Sequence, residues 1–151
     1  MITIAPATSA DIPALCQLLN ELFTQEAEFK PDQQAQYRGL ASIIDYPEVG
    51  RILVAQQQGV VIGMVNLLFT VSTALGGRVA LLEDMVVTAS HRNLGIGRQL
   101  LEQAIELARC NGCQRITLLT DQSNLMAQCF YQKQGFEVST MLPLRLSLHQ
   151  V

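Results

Sequence analysis

The sequence predicts an α/β fold in which helices cover a mixed sheet, and three observations carry that prediction. Apolar residues recur at helical spacing up to about residue 45, then in short strand-like runs from Arg51 onward. A strongly amphipathic segment, Gly95 to Cys110, lies between two apolar runs, Val79 to Val87 and Arg115 to Thr120. No repeat, low-complexity tract or linker interrupts the chain, so residues 1–151 read as one domain.

The elements follow in order. Ile2 to Ala5 is a short first strand. Thr8-Ser-Ala-Asp11 has the spacing of a capping box, and Pro13 falls in the first helical turn, where its missing N–H costs little. Leu15, Leu18, Leu19 and Leu22 then share one helical face. Residues 32–45 hold a second helix with Tyr37, Leu40, Ile43 and Ile44, ended by Pro47. Ile52 to Ala55 and Val60 to Phe69 are strands flanking a Gln-rich turn that ends in Gly59. After a loop from Ser72 to Gly77, Val79 to Val87 is a further strand, apolar except for Glu83 and Asp84. Adjacent carboxylates in a buried strand break local consistency, and such breaks tend to mark functional sites.

Gly95 to Cys110 is a helix that buries Leu100, Leu101, Ala104, Ile105, Leu107 and Ala108. Arg115 to Thr120 is an apolar strand of the kind buried on both faces. Residues 124–133 form a helix closed by Gly135. In the tail, Leu142, Leu144, Leu146 and Leu148 alternate with Pro143, Arg145, Ser147 and His149, the pattern of a half-buried strand.

Composition narrows the function classes. Hydrophobic residues at 49% against 15% charged exclude intrinsic disorder. No apolar run approaches the roughly 18 residues of a membrane span, and no basic segment followed by an apolar core opens the chain, so a cytoplasmic protein without a membrane partner is expected. Net charge is −3 and the bases are scattered, which argues against a nucleic-acid partner. Cys110-Asn-Gly-Cys113 closes a helix rather than opening one, so the dipole does not activate its thiols. Cys16, Cys129, His91 and His149 are each isolated, so no zinc site is expected and the cysteines read as free thiols of a reducing compartment. Gly112 fits the left-handed stop of the preceding helix.

The strongest chemical feature is Arg92-Asn-Leu-Gly95-Ile-Gly97-Arg98, which joins a strand end to a helix start. Glycines let the backbone approach a ligand, and the unpaired N–H groups and dipole of the following helix favour phosphate. The dipole alone supplies roughly 0.3–2 kcal/mol, so several N–H bonds and Arg92 or Arg98 must add to it. A Walker loop needs Gly-Lys-Ser/Thr, which is absent, and a dinucleotide fingerprint needs glycine where Leu100 stands.

Val86-Val87-Thr-Ala-Ser-His-Arg92-Asn-Leu-Gly95-Ile-Gly97-Arg-Gln-Leu100-Leu101 resembles the acyl-CoA signature of the GNAT superfamily of N-acetyltransferases. Asn124-Leu-Met-Ala127-Gln-Cys-Phe130-Tyr131-Gln-Lys133-Gln-Gly135-Phe136 resembles that family's second motif. Two motifs in this order are far more specific than either alone, and the resemblance is firm from about Leu81 to Phe136. It implies a mixed, mostly antiparallel sheet of six to seven strands flanked by about four helices, forming a single N-acetyltransferase domain. It also implies acetyl-CoA as cosubstrate. The pyrophosphate would lie on Arg92, Asn93, Leu94, Gly95, Ile96, Gly97 and Arg98, and the pantetheine arm would pair like a strand with Met85, Val86 and Val87. Asn124 matches a position that contacts pantetheine. In the family this strand carries a bulge and splays from the next one, and Glu83-Asp84 falls where the bulge would sit.

Mechanism follows from pKa values. An alkyl ammonium near pKa 10.4 has no lone pair, and exposing the free amine at pH 7 costs roughly 4.6 kcal/mol. A nearby carboxylate can take that proton, and Glu83 is the candidate base, with Asp84 second. In a regular strand the two face opposite sides, so only one would reach the cleft. By the resemblance Tyr131 is the general acid toward the departing thiolate. A thiol near 8.5 is a better acid than a phenol near 10, so hydrogen bonding to the thiolate is the milder role expected, while Phe130 packs its helix on the sheet. No cysteine stands beside a histidine in a motif-like setting, which argues for direct attack over a covalent acyl-enzyme.

The acceptor is left open between a small cationic amine and a peptide amine. Residues 21–32 hold four acids, Glu21, Glu26, Glu28 and Asp32, against Lys30, which suits a polyamine or another small amine but also a plain solvated helix end. Phe23 and Phe29 are cleft walls or core. The competing functions are an acyl-CoA-binding sensor without turnover and a thiol-redox or zinc protein built on Cys110 and Cys113. The alternating tail offers an edge strand for a homodimer.

Overall fold

The computed structural model describes residues 1–25 and 30–149. Among them are five strands and four α-helices: β1 (Ile2–Pro6), α1 (Ile12–Gln25), α2 (Gln33–Ile44), β2 (Gly50–Gln57), β3 (Val60–Ser72), β4 (Gly77–Val87), α3 (Ile96–Cys110), β5 (Ile116–Leu118) and α4 (Leu125–Lys133). Single 3-10 turns at Ser9–Asp11 and Ala89–His91 precede α1 and α3. The sheet runs β1-β2-β3-β4-β5, antiparallel from β1 to β4 and parallel between β4 and β5. The α/β class and the mixed, mostly antiparallel sheet therefore stand as expected.

The strand count does not. Five strands form among the described residues, not six to seven. The Leu142 to Leu148 alternation carries no strand, and its four leucines are 83–95% exposed. Alternation fixes which face of a strand would be apolar, but a strand also needs a partner for its backbone groups, and Pro143 lacks a donor. The predicted Arg115 to Thr120 strand shortens to Ile116–Leu118 and is half-buried rather than covered on both faces. It pairs with β4 alone among the described residues.

Two compact units make up the chain, Met1–Leu119 and Thr120–Val151. In the first, α1 and α2 lie on one face of the sheet. Ile12, Leu15, Leu18, Leu19 and Leu40 pack there with Ile52, Val54, Met64 and Val86. Each fully buried Leu or Ile removes enough apolar area to stabilise the fold by roughly 1.5–3 kcal/mol. On the other face α3 buries Ile96, Leu100, Leu101, Ala104 and Ala108 against β2, β3 and β4. Gly63 permits this approach, because a Cβ there would meet Leu100 Cδ1 at 3.0 Å.

The expected caps are present. Thr8 N–H donates to Asp11 Oδ2 at 2.8 Å, the reciprocal bond of the capping box before α1, and Asp11 N–H closes the 3-10 turn on Thr8 O at 2.9 Å. Asp32 caps α2 by accepting from Ala35 N–H at 3.2 Å. Buried Gln36 ties α2 to α1 by donating to Cys16 O at 3.3 Å and Asn20 Oδ1 at 3.1 Å. Gly112 ends α3 at φ +77°, with Cys113 N–H on Ala108 O at 2.9 Å and Gly112 N–H on Arg109 O at 3.0 Å, which is a Schellman motif.

Candidate active site

The site starts from an irregularity in β4. Val65 pairs with Met85 but Leu67 pairs with Leu82, so β4 carries one extra residue and both Glu83 and Asp84 stand opposite Asn66. This is a β-bulge at the predicted place, and a bulge re-aims side chains. Strict alternation between Glu83 and Asp84 therefore does not hold.

Asp84 lines a cleft of about 260 Å³ between α1, α2 and the sheet. Leu19, Leu40, Gln36 and Asn66 are its buried floor, Phe23 and Ile43 its half-buried walls, and Lys30, Asp32, Ala35 and Gly39 its exposed rim. Asn66 Nδ2 donates to Asp84 Oδ2 at 3.2 Å. Burial pushes the Asp84 carboxyl above its ordinary range, the Asn66 hydrogen bond opposes this, and the Glu83 charge adds to the rise. Glu83, the expected base, is exposed.

Asn66 is the residue that sequence reasoning missed. It is 3% exposed, and its Oδ1 is buried without a hydrogen-bond partner among the described residues. An orphaned buried acceptor costs roughly 1–3 kcal/mol. The signal was present in the sequence, since one amide interrupts the apolar run Val60 to Phe69 just as Glu83-Asp84 interrupts the next strand.

Beyond the bulge β4 has an open side. Its parallel pairing with β5 covers only Ala80, Leu81 and Leu82. Among the described residues no strand pairs with Glu83 to Val87 on that side, so Met85, Val86 and Val87 border a slot. The chain then turns through Ala89–His91 into the glycine loop. Asn93 at φ +64° and Gly95 at φ +80° are left-handed, and no side chain caps α3. Gln99 N–H is the first to find a helical acceptor, Gly95 O at 3.1 Å, which leaves those of Ile96, Gly97 and Arg98 facing out of the helix start.

Both arginines of this loop are engaged. Arg98 pairs with Glu102 at 2.9 Å, and Arg92 Nε donates to Val87 O at 3.0 Å. Glu21 reaches the same junction from α1, accepting from Thr88 Oγ1 at 3.1 Å and from Ala89 N–H at 3.2 Å. Its 3.9 Å approach to Arg92 is half-exposed and adds little. Of the four acids expected around an acceptor, Glu21 thus serves the loop and Asp32 caps a helix at the cleft rim. Glu26, Glu28 and Phe29 lie outside the described residues.

In the second unit, Asn124 caps α4 by accepting from Ala127 N–H at 3.0 Å. Tyr131 sits near the end of α4, half-buried and edge-on to Phe130 at 5.1 Å and Phe136 at 5.6 Å. Phe136 N–H donates to Tyr131 O at 3.1 Å, closing the turn at Gly135.

Residues 12–136 match the model of the acetyltransferase (GNAT) family. The chain belongs to this family. It is 31% identical over 140 residues to an uncharacterized N-acetyltransferase, YhfO, of Bacillus subtilis, covering 91% of both chains. It is 30% identical over 133 residues to the aminoalkylphosphonate N-acetyltransferase of Salmonella typhimurium, covering 88% of this chain and 83% of that one. The crystal structure of a Trypanosoma brucei acetyltransferase superposes with a TM-score of 0.76 at 25% identity, covering 98% of this chain and all of the other.

As a GNAT protein the chain is an acyl-CoA-dependent transferase, and members of the family use acetyl-CoA as acetyl donor. The donor set fits that molecule. Outward N–H groups at the start of α3 suit a pyrophosphate, and the open side of β4 suits an extended arm with amide groups. Among the described residues no group of three or more His, Cys, Asp or Glu side chains could hold a metal ion. All four cysteines are free, and burial raises the thiol pKa of Cys16 and Cys113. No described helix is long and apolar enough to cross a membrane.

Proposed function

We propose that the protein transfers an acetyl group from acetyl-CoA to a primary amine by direct attack, with a small cationic amine as acceptor. One observation carries this reading. A single strand, β4, bears a carboxylate lining an open, mostly apolar cleft and is followed nine residues later by a helix start whose first N–H groups face outward. The acceptor and the acyl donor would thus meet along Asp84 to Val87.

Bound acetyl-CoA supplies a thioester carbonyl carbon open to nucleophilic attack. The ammonium of the acceptor gives one proton to a carboxylate, its nitrogen forms the C–N bond, the C–S bond breaks, and the amide, the thiol and one proton are the products. Asp84 is the base we favour over Glu83, because it lines the cleft, and a raised pKa brings a carboxylate nearer to the working pH. Glu83 is exposed and acts through its charge on Asp84. Backbone N–H groups of Ile96, Gly97 and Arg98 hold pyrophosphate, and Met85, Val86 and Val87 border the pantetheine slot. Asn124 and Tyr131 are carried over from the second motif, Tyr131 as hydrogen-bond donor to the departing sulfur.

Incubation with acetyl-CoA and a panel of small amines and peptides, read by mass spectrometry, tests the reading. An acetylated amine supports it, and acetyl-CoA binding without any product in the panel overturns it. The Asp84→Asn and Glu83→Gln variants then separate the two bases. The former should remove the acidic limb of the pH–rate profile and the latter should only shift it.

A further inference from the structure

We infer that Asn66 and Asp84 form a seat for a single ammonium head, and that the acceptor is a monoamine with a compact apolar body. This rests on the transferase reading and narrows it. The orientation of the Asn66 amide is set by its neighbour, because an ionised Asp84 accepts from Nδ2 and would repel Oδ1. Oδ1 is thereby left as a second acceptor beside the carboxylate, buried and without a partner among the described residues. A carboxylate and an amide carbonyl side by side are two acceptors, and an ammonium, with three donors and a positive charge, complements both.

The rest of the cleft selects the body. Leu19, Phe23, Leu40 and Ile43 give it apolar surfaces, and about 260 Å³ is the space of eight or nine water molecules at roughly 30 Å³ each. A second ammonium finds no dedicated partner among the described residues. Glu21 is held by Thr88 and Ala89, and Asp32 caps α2 with Lys30 beside it on the rim. An anionic tail would meet the Asp32 carboxylate together with Lys30. A diamine thus places its second charge where no described side chain is dedicated to it, and an aminophosphonate sets its charge beside the Asp32 carboxylate as well as Lys30.

The test compares 2-phenylethylamine and hexylamine with 1,5-diaminopentane and 3-aminopropylphosphonate. We expect kcat/KM for the two apolar monoamines to exceed the others by at least tenfold. Titration of 2-phenylethylamine into the CoA-saturated protein, followed by calorimetry, gives a readout that needs no turnover. Binding should weaken at least tenfold in Asn66→Leu and in Asn66→Ser while acetyl-CoA affinity stays unchanged, which also shows that each variant is folded. Preference for the diamine or the phosphonate overturns the proposal, as does equal amine binding in wild type and both variants. Amine binding without acetylation of any acceptor would keep the seat and remove the transferase reading. Turnover of a peptide amine with no binding of 2-phenylethylamine would do the reverse.

Discussion

Replacing Gly95 by alanine separates the loop's conformation from its chemistry. At φ +80° an alanine pays roughly 1–2 kcal/mol for the left-handed region, while nothing lies within 4 Å of its Cβ, so the cost is conformational and not a clash. Stiffening the unfolded chain returns about 0.4–1 kcal/mol, leaving a net loss on the order of 1 kcal/mol. The protein can absorb this in two ways. If the loop keeps its shape, Tm falls by about 2–4 °C, the shift expected per kcal/mol for a chain of this size. If the loop relaxes instead, the N–H groups of Ile96, Gly97 and Arg98 lose their common aim, and acetyl-CoA affinity falls by roughly fivefold for the same free energy.

Thermal unfolding with and without acetyl-CoA distinguishes these outcomes, and Gly112→Ala is the control. Gly112 has φ +77° and equally open surroundings, but it closes the far end of α3. It should lose a similar amount of stability with no change in acetyl-CoA affinity. If Gly95→Ala changes neither Tm nor affinity, the left-handed turn is not required and the cradle fails. If Gly112→Ala weakens acetyl-CoA equally, the effect is general destabilisation.

Glu21→Ala should remove two hydrogen bonds at the β4 exit, lowering Tm by about 2–4 °C for about 1 kcal/mol lost, and raise the KM for acetyl-CoA more than that for the amine; equal changes in both would refute a role at the loop. Asp84→Asn should lower kcat/KM by roughly 10²–10⁴ yet raise Tm at pH 7. Burial raises the folded pKa of Asp84, so its contribution to stability is full below the ordinary value near ~3.9 and is lost as pH rises through the folded value. The Tm gain of the variant should therefore vanish toward pH 3, and a gain independent of pH would sink the assignment. Tyr131→Phe should lower kcat more than acetyl-CoA affinity, and an unchanged kcat would remove Tyr131 from the mechanism.

What local rules decide was legible in the sequence. Thr8 to Asp11, Gly112 and the apolar face of α3 each depend on neighbours within about one helical turn, and each took its expected form. The bulge position was legible through the family pattern. Which carboxylate enters the cleft was not, because a one-residue slip against β3 decides it and that register is set across strands. The same holds for Glu21. Its acidity was visible, but its partners Thr88 and Ala89 lie 67 and 68 residues away. The tail failed for a related reason: four alternating leucines specify a face but not a partner strand.

The site is also where the fold departs from its most stable form. A regular β4 with apolar residues at 66 and 84 would remove the bulge, the half-buried carboxylate and the unpartnered carbonyl of Asn66 together. Each departure alone has a structural reading, but the three coincide within one pair of strands and beside one cleft. Packing does not explain that coincidence, since Val65, Leu67 and Leu82 on the same strands are fully buried and apolar. Binding does, because an arriving ammonium satisfies the Asn66 carbonyl and offsets the desolvated charge of Asp84 in one step. Stability conceded by the free protein at these two residues is thereby recovered when the acceptor is bound, and the protein should gain more thermal stability from an amine than Asn66→Leu does.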